Sequence, residues 1–141
     1  EQIKTRVANL LKQETIFNQQ KDYEAAIECL RQAAALLREI GENEETARCF
    51  NNLGLLLVRQ NKFDEALRTF RESQEIFKKL GMRDDEAEQH GNIGSIYRDV
   101  NENEYAFLHY SEALGIFRET ENTFLPKNRL MPKTKKVLQM R

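Results

Sequence analysis

The histidines and cysteines are the residues best suited to chemistry, and their spacing matches no known type of site. His90 and His109 lie outside H-x3-H spacing, and neither has a cysteine at zinc-ligand distance in the sequence. We expect each to be a solitary surface or groove histidine. Cys29 and Cys49 lack CxxC spacing, which predicts two buried, reduced thiols. No metal or cofactor is therefore predicted, and a reducing, cytoplasmic location is the simplest expectation.

One acidic segment, Asp99–Asn103, is similar to the opening of a calcium-binding loop. Glu104 occupies the sixth position, where such a loop needs glycine, and Tyr110 the twelfth, where it needs a bidentate glutamate. The segment is predicted to be a turn. The sequence also lacks a phosphate-binding loop, a nucleophile elbow and a dinucleotide fingerprint. We predict no catalytic residue and no enzymatic activity.

The composition indicates which elements can position side chains. The 141 residues are 40% apolar and 32% charged, with only 6 glycines and 2 prolines. A β-sandwich or barrel needs many turn residues and alternating β-branched residues, so the composition excludes that class. No window approaches the eighteen apolar residues of a membrane span, so no membrane insertion is expected. An all-α fold is predicted.

Charge is distributed unevenly along the chain. Residues 1–121 hold all 23 acidic and 16 of the 22 basic residues, a net charge of −7. Residues 122–141 hold the other six basic residues and no acid. An acidic body argues against nucleic-acid binding, whose affinity comes from neutralising phosphates. The expected partner is a protein or peptide.

The sequence matches itself when it is shifted by 40 residues. Residues 47–80 align with residues 87–120, and a weaker copy covers residues 7–46. The identical pairs are Ala47/Ala87, Asn52/Asn92, Gly54/Gly94, Asn61/Asn101, Ala66/Ala106, Glu72/Glu112, Ile76/Ile116 and Phe77/Phe117. Apolar residues at helical spacing predict helices near 3–20, 23–40, 44–60, 63–80, 86–100 and 104–120.

Short polar turns separate these predicted helices, which makes consecutive helices antiparallel neighbours. Gly41 and Gly81 fall where a helix ends with a left-handed residue. Neither helix of a pair can bury its apolar stripe alone, so the pairs must stack.

The second and third units resemble the tetratricopeptide repeat, whose pattern is L-G-x2-Y…A-x3-F-x2-A. The matching residues are Leu53, Gly54, Leu57, Ala66, Phe70 and Ser73, then Ile93, Gly94, Tyr97, Ala106, Tyr110 and Ala113. Gln13 and Glu14 replace Leu-Gly in the first unit, which is therefore degenerate or acts as a cap. The 40-residue period is similar to repeats of Pins/LGN adaptors, rapsyn and kinesin light chain. The small pairs Gly54/Gly94 and Ala66/Ala106 argue against HEAT units of similar length.

The resemblance implies a right-handed α-solenoid over residues 1–121, with units near 7–46, 47–86 and 87–120, followed by a basic tail or cap at 122–141. It also implies a non-catalytic scaffold or adaptor that binds a partner's peptide segment in its concave groove. The alternative is a regulatory peptide-sensing domain of a larger signalling protein.

The first helix of each unit should line the groove. The groove residues should then be Arg48, Asn52, Leu55 and Arg59 in one unit, and Glu88, Asn92, Ser95 and Asp99 in the next. An Asn amide both donates and accepts, so Asn52 and Asn92 could clamp a peptide backbone. Alternatively, each Asn bonds a neighbouring helix and only holds the stack.

Some tetratricopeptide repeat domains bind the C-terminal tails of chaperones through a recognisable residue pattern. The Lys and Asn pattern of the carboxylate clamp that binds chaperone tails is absent, because its positions hold Leu11/Thr15, Asn51/Leu55 and Gly91/Ser95. A chaperone-tail receptor is therefore not expected.

The tail breaks the repeat, because Pro126 and Pro132 interrupt the helix that would open a fourth unit. Three roles stay open: a cap over the last helix pair, a disordered basic extension, or a peptide lying in the chain's own acidic groove. Exposed repeat ends also allow self-association.

Overall fold

A computed structural model describes the backbone of residues 2–124 and the side chains of residues 2–121. This part of the chain is all helical and contains no strand. Its six helices are α1 (Gln2–Gln19), α2 (Tyr23–Glu39), α3 (Asn43–Arg59), α4 (Phe63–Lys79), α5 (Arg83–Asp99) and α6 (Asn103–Phe124). The first four predicted helices are confirmed to within two residues. The predicted start of α5 at 86 and the predicted end of α6 at 120 are wrong by three and four residues.

A left-handed residue stands at every twentieth position and ends each of the first five helices. The φ angles are 61° at Lys21, 78° at Gly41, 59° at Asn61, 73° at Gly81 and 64° at Asn101. The predicted role of the two glycines is therefore confirmed. After α2, for example, the Gly41 N–H donates to the Arg38 carbonyl over 3.1 Å, and the Glu42 N–H donates to Leu37 over 3.0 Å. These bonds satisfy carbonyls that the helix end leaves open.

Each helix packs mainly against its neighbours in the sequence. The contacts join α1 to α2, α3 to α4 and α5 to α6 within pairs, and α2 to α3 and α4 to α5 between pairs. The shared core holds the fully buried side chains Leu30, Leu57, Phe70, Ile93 and Ile96. This succession of stacked pairs is an all-α solenoid, as the periodicity predicts.

Small residues allow the two helices of a pair to approach closely. A Cβ atom on Gly54 would lie 2.5 Å from Cε1 of Phe70, and one on Gly94 would lie 2.9 Å from Cε1 of Tyr110. Ala66 is fully buried on the facing helix. The spacing of the α3–α4 and α5–α6 pairs therefore depends on glycine.

Both cysteines are buried and free, which confirms the sequence prediction. Burial raises the pKa of the Cys49 thiol to about 11, and nearby Glu14 and Glu45 act in the same direction. Burial also raises the pKa of Cys29. Since both thiols are protonated at neutral pH, they act as small apolar core residues.

The prediction that the two histidines are solitary is wrong. His90 on α5 and His109 on α6 face each other with their Nδ1 atoms 3.1 Å apart. The His109 ring also stacks on Tyr97 at a centroid distance of 5.6 Å. Antiparallel pairing of α5 and α6 brings together two residues that lie far apart in sequence. One Nδ1 must carry the hydrogen and the other must accept it, so the rings hold opposite tautomers.

Burial is the main cause that lowers the pKa of both histidines. Around His90, Glu112 and Glu86 favour the protonated form, while Lys78 and Arg83 oppose it. Around His109, His90 and Arg71 lower the pKa, and Glu112 raises it. Both histidines of the folded protein are therefore uncharged at neutral pH.

Substitution of two glycines tests the close packing of the α3–α4 pair. Gly54→Ala should lower the free energy of unfolding by about 1–3 kcal/mol, because the new methyl group would overlap the Phe70 ring. Gly91→Ala is the matched control, since its Cβ would meet nothing within 4 Å. It should raise stability by up to about 1 kcal/mol through helix propensity. Urea unfolding measures both, and equal effects would contradict the close approach.

The histidine pair predicts a pH dependence of stability. The unfolded histidines bind protons as pH falls below about 6.5, whereas the folded ones resist protonation. The neutral histidine pair thus stabilises the folded protein above about pH 6.5, and this contribution to the free energy of unfolding is lost as pH falls towards 5.5. Urea unfolding at pH 7.5 and 5.5 should show a loss for the natural chain. His90→Gln/His109→Gln should show a smaller loss, and an identical loss in both proteins would contradict the prediction.

Candidate functional site

The four predicted groove residues of α3 lie together on its exposed face. Leu53, Leu56 and Leu57 face the core, whereas other side chains of this helix face solvent. The exposed ones include all four predicted residues: Arg48, Asn52, Leu55 and Arg59. Helical periodicity thus separates a buried stripe from a polar stripe that carries one exposed leucine.

A cleft of about 450 Å³ runs between α1 and α3, and we call it the α1–α3 cleft. Its α3 wall contains three predicted residues, Asn52, Leu55 and Arg59. The remaining lining residues are Glu14, Asn18 and Gln19 of α1, Leu30 of α2 and Leu56 of α3. Leu55 gives this cleft an exposed apolar side chain, because 49% of it is exposed.

A second cleft of about 150 Å³ lies between α3 and α5, and we call it the α3–α5 cleft. It brings together three of the predicted residues, Arg48, Asn52 and Glu88. The other lining residues are Asn51, Phe77, Asp85 and Gln89. Asn52 lines both clefts and therefore stands at the boundary between them.

Amide side chains join α3 to α5 at the base of the second cleft. The Oδ1 atom of Asn51 accepts from Gln89 Nε2 over 2.9 Å and from Asn92 Nδ2 over 3.1 Å. Asn51 Nδ2 in turn donates to Asn52 Oδ1 over a longer 3.4 Å. Asn92 therefore bonds a neighbouring helix, which is the alternative left open for it. Asn52 stays exposed, and the structure gives its Nδ2 group no bond among the described residues.

The two arginines of α3 are held by partners within the protein. Arg48 pairs with Glu44 at 3.3 Å and with Asp85 at 3.5 Å. Arg59 donates to the Tyr23 hydroxyl over 3.2 Å and lies over that ring at 5.2 Å. Because these groups already have partners, Asn52 and Leu55 are the predicted residues best able to contact a ligand.

The last two predicted residues of α5 do not line either cleft. Ser95 is half-buried, and its hydroxyl lies 3.0 Å from the Tyr110 hydroxyl on α6. Asp99 is exposed near the end of α5 and pairs with Arg98 at 3.4 Å. The structure therefore brings together the residues of α3 and Glu88 but separates them from these two.

Sequence reasoning did not find the α1 wall or the part played by Asn51. The 40-residue repeat could have indicated this wall, because Gln19 occupies the position in the first unit that Arg59 occupies in the second. The sequence does not show that Asn51, rather than Asn52, bonds α5. Neighbouring residues on a helix point about 100° apart, and only the packing of the helices decides which of them faces α5.

Neither a metal cluster nor a membrane-spanning helix occurs among the described residues. That part of the chain contains no group of three or more His, Cys, Asp and Glu side chains able to hold a metal ion. Within the same residues, no helix combines the length and the apolar character needed to cross a membrane.

Comparison with known proteins agrees with this architecture. The tetratricopeptide repeat family model matches residues 15–79, from the end of α1 through α4. The TPR domain of Arabidopsis FLU is 22% identical with a TM-score of 0.72, and the match covers 83% of this chain and 98% of that domain. A search of curated proteins finds no match.

Two further solved structures have the same fold. The apo form of RapI is 26% identical with a TM-score of 0.75, and the match covers 86% of this chain and 44% of RapI. The N-terminal domain of stress-induced protein-1 from C. elegans is 16% identical with a TM-score of 0.71, covering 99% of this chain and 97% of that domain.

These similarities establish the architecture rather than a shared activity. The chain spans less than half the length of RapI, so nothing about the activity of that whole protein follows. The family match ends with α4, and the first part of α1 and the α5–α6 pair lie outside it. Residues 15–79 thus match the tetratricopeptide repeat model, and the stacked helix pairs have the fold of TPR domains of known structure.

Proposed function

We propose that this protein is a non-catalytic interaction module that binds a peptide segment of a partner protein across the α1–α3 and α3–α5 clefts. Tetratricopeptide repeats are in general a protein-interaction scaffold, and the fold is that of this family. The observation that carries the proposal is the position of Asn52, an exposed amide shared by two adjoining clefts.

The chemistry of these clefts suits an extended peptide. Asn18, Gln19 and Asn52 offer amide donors and acceptors that match a peptide backbone without requiring a particular side chain. Leu55 adds apolar area for one side chain of the ligand. Glu14, Asp85 and Glu88 bring three negative charges to the two clefts, and Arg48 and Arg59 bring two positive charges. The net charge of these lining residues is therefore only −1, so charge does not strongly select the ligand.

Replacement of Asn52 tests the proposal. Peptides selected from a random phage-displayed library on the natural chain should bind Asn52→Ala about 1–3 kcal/mol more weakly, because peptide groups lose their partner. The melting temperature should stay the same, since Asn52 is exposed. Gln32→Ala, which removes an exposed amide on α2 away from both clefts, is the control and should bind normally. Full affinity in Asn52→Ala would contradict the proposal.

Replacement of Asn51 should have the opposite signature. Asn51→Ala removes the acceptor of both Gln89 and Asn92 and should lower the free energy of unfolding by about 1–3 kcal/mol. Urea unfolding measures this loss, and Asn52→Ala in the same assay serves as its control. An unchanged stability would show that the amide cluster does not hold α3 to α5.

A further inference from the structure

The two histidines of the chain face each other across the α5–α6 pair, outside both clefts. Their Nδ1 atoms are 3.1 Å apart, and the ring centroids are 5.4 Å apart. Both side chains are half-buried, so the pair lies near the surface rather than deep in the core. Neither His90 nor His109 lines the α1–α3 cleft or the α3–α5 cleft. Peptide binding in those clefts therefore does not use this pair.

The packing of the repeat does not require imidazole at these two positions. Shifted back by one period, His90 falls on Phe50 and His109 falls on Thr69. Thr69 is buried, and Phe50 packs against the hydrophobic core. An apolar ring and a hydroxyl thus fill the same place in the second unit. The third unit differs in bringing two ring nitrogens together there.

The distance between the two Nδ1 atoms suits two ligands of one metal ion. An imidazole nitrogen lies about 2.0–2.1 Å from Zn²⁺, so nitrogens 3.1 Å apart subtend an angle of about 100° at the ion. This angle lies between the right angle of octahedral or square-planar coordination and the wider angle of a tetrahedron. Imidazole suits Zn²⁺, Cu²⁺ and Ni²⁺, whereas Mg²⁺ and Ca²⁺ prefer oxygen. The pair therefore has the spacing and the chemistry of a two-imidazole chelate.

Neighbouring side chains hold the ring of His109 in position. This ring stacks on Tyr97 at a centroid distance of 5.6 Å, and Tyr97 lies 5.3 Å from the ring of Tyr105. Arg71 of α4 donates a hydrogen bond to the Tyr97 hydroxyl. A ligand that is already oriented loses less conformational entropy when it binds an ion.

The charges around the pair are balanced. Glu86 and Glu112 favour positive charge at the rings, and the groups that oppose it are Arg71, Lys78 and Arg83. One of these bases is itself neutralised, because Arg83 bonds the carboxylates of Glu86 and Glu119. The surroundings therefore carry no large positive charge that would repel a divalent ion.

We infer that the Nδ1 atoms of His90 and His109 bind one divalent transition-metal ion of the Zn²⁺, Cu²⁺ and Ni²⁺ class and thereby link α5 to α6. The ring that carries its hydrogen on Nδ1 moves it to its own Nε2 through water, so no proton is released. No third His, Cys, Asp or Glu completes the group within the described residues, so water fills the remaining positions of the ion. Because the two ligands meet only in the folded chain, the ion stabilises the fold.

Nuclear magnetic resonance of the histidine ring nitrogens tests this inference on the natural chain. The chain contains only two histidines, so an untagged protein reports this pair alone. Addition of Zn²⁺ at pH 7.5 should move both Nδ1 resonances and saturate at one ion per chain, whereas Mg²⁺ should move neither. Shifts confined to Nε2 would overturn the inference, and so would unchanged resonances in millimolar Zn²⁺.

Single substitutions separate chelation from binding to one ring. In calorimetric titration, His90→Gln and His109→Gln should each weaken Zn²⁺ binding by about tenfold or more, because the second imidazole acts at high effective concentration. Cys29→Ala/Cys49→Ala is the control for thiol ligands and should bind Zn²⁺ like the natural chain. Saturating Zn²⁺ should also raise the melting temperature of the natural chain and leave that of both histidine variants unchanged. Full affinity in either histidine variant would overturn the inference.

Discussion

Burial of apolar surface by helices adjacent in the sequence is the constraint on which this structure depends. Among the described residues, the four inner helices each have two such neighbours, whereas α1 and α6 each have one. Because a helix pair cannot cover its own stripe, stability comes from stacking, as in other repeat arrays. The same constraint explains two surfaces of different character. Polar faces of α1, α3 and α5 remain open as clefts, and the apolar stripe of α6 lacks a described neighbour.

The geometry of the clefts follows from backbone features in the turns and between paired helices. Left-handed residues at twenty-residue intervals reverse the chain, and Gly54 lets α3 approach Phe70 on α4. These features bring α3 and α5 close enough for Asn51 to accept two bonds from α5. Asn52, one residue further on, is left facing the solvent. The two adjacent asparagines thus differ in their contacts: Asn51 joins α3 to α5, and Asn52 exposes its amide to solvent.

Features with local or periodic signals could be predicted from the sequence. The helices, the turn glycines and the close approach at Gly54 belong to this class, since each depends on spacing within one unit. The His90–His109 pair does not, because it depends on the rotation of α5 and α6 about their axes. The roles of Asn51 and Asn92 depend in the same way on how two units stack. For the proposed groove residues of α3, the sequence predicted which side chains are exposed, and tertiary packing decided which of them are held by other helices.

The central claim is that peptide recognition takes place where α1, α3 and α5 meet. Nuclear magnetic resonance of the natural chain, titrated with a library-selected peptide, tests it without altering any residue. We expect the largest shifts at the side-chain amide of Asn52 and the methyl groups of Leu55, with Phe107 and Phe117 of α6 unaffected. Largest shifts at Phe107 and Phe117, with Asn52 and Leu55 unchanged, would contradict the account.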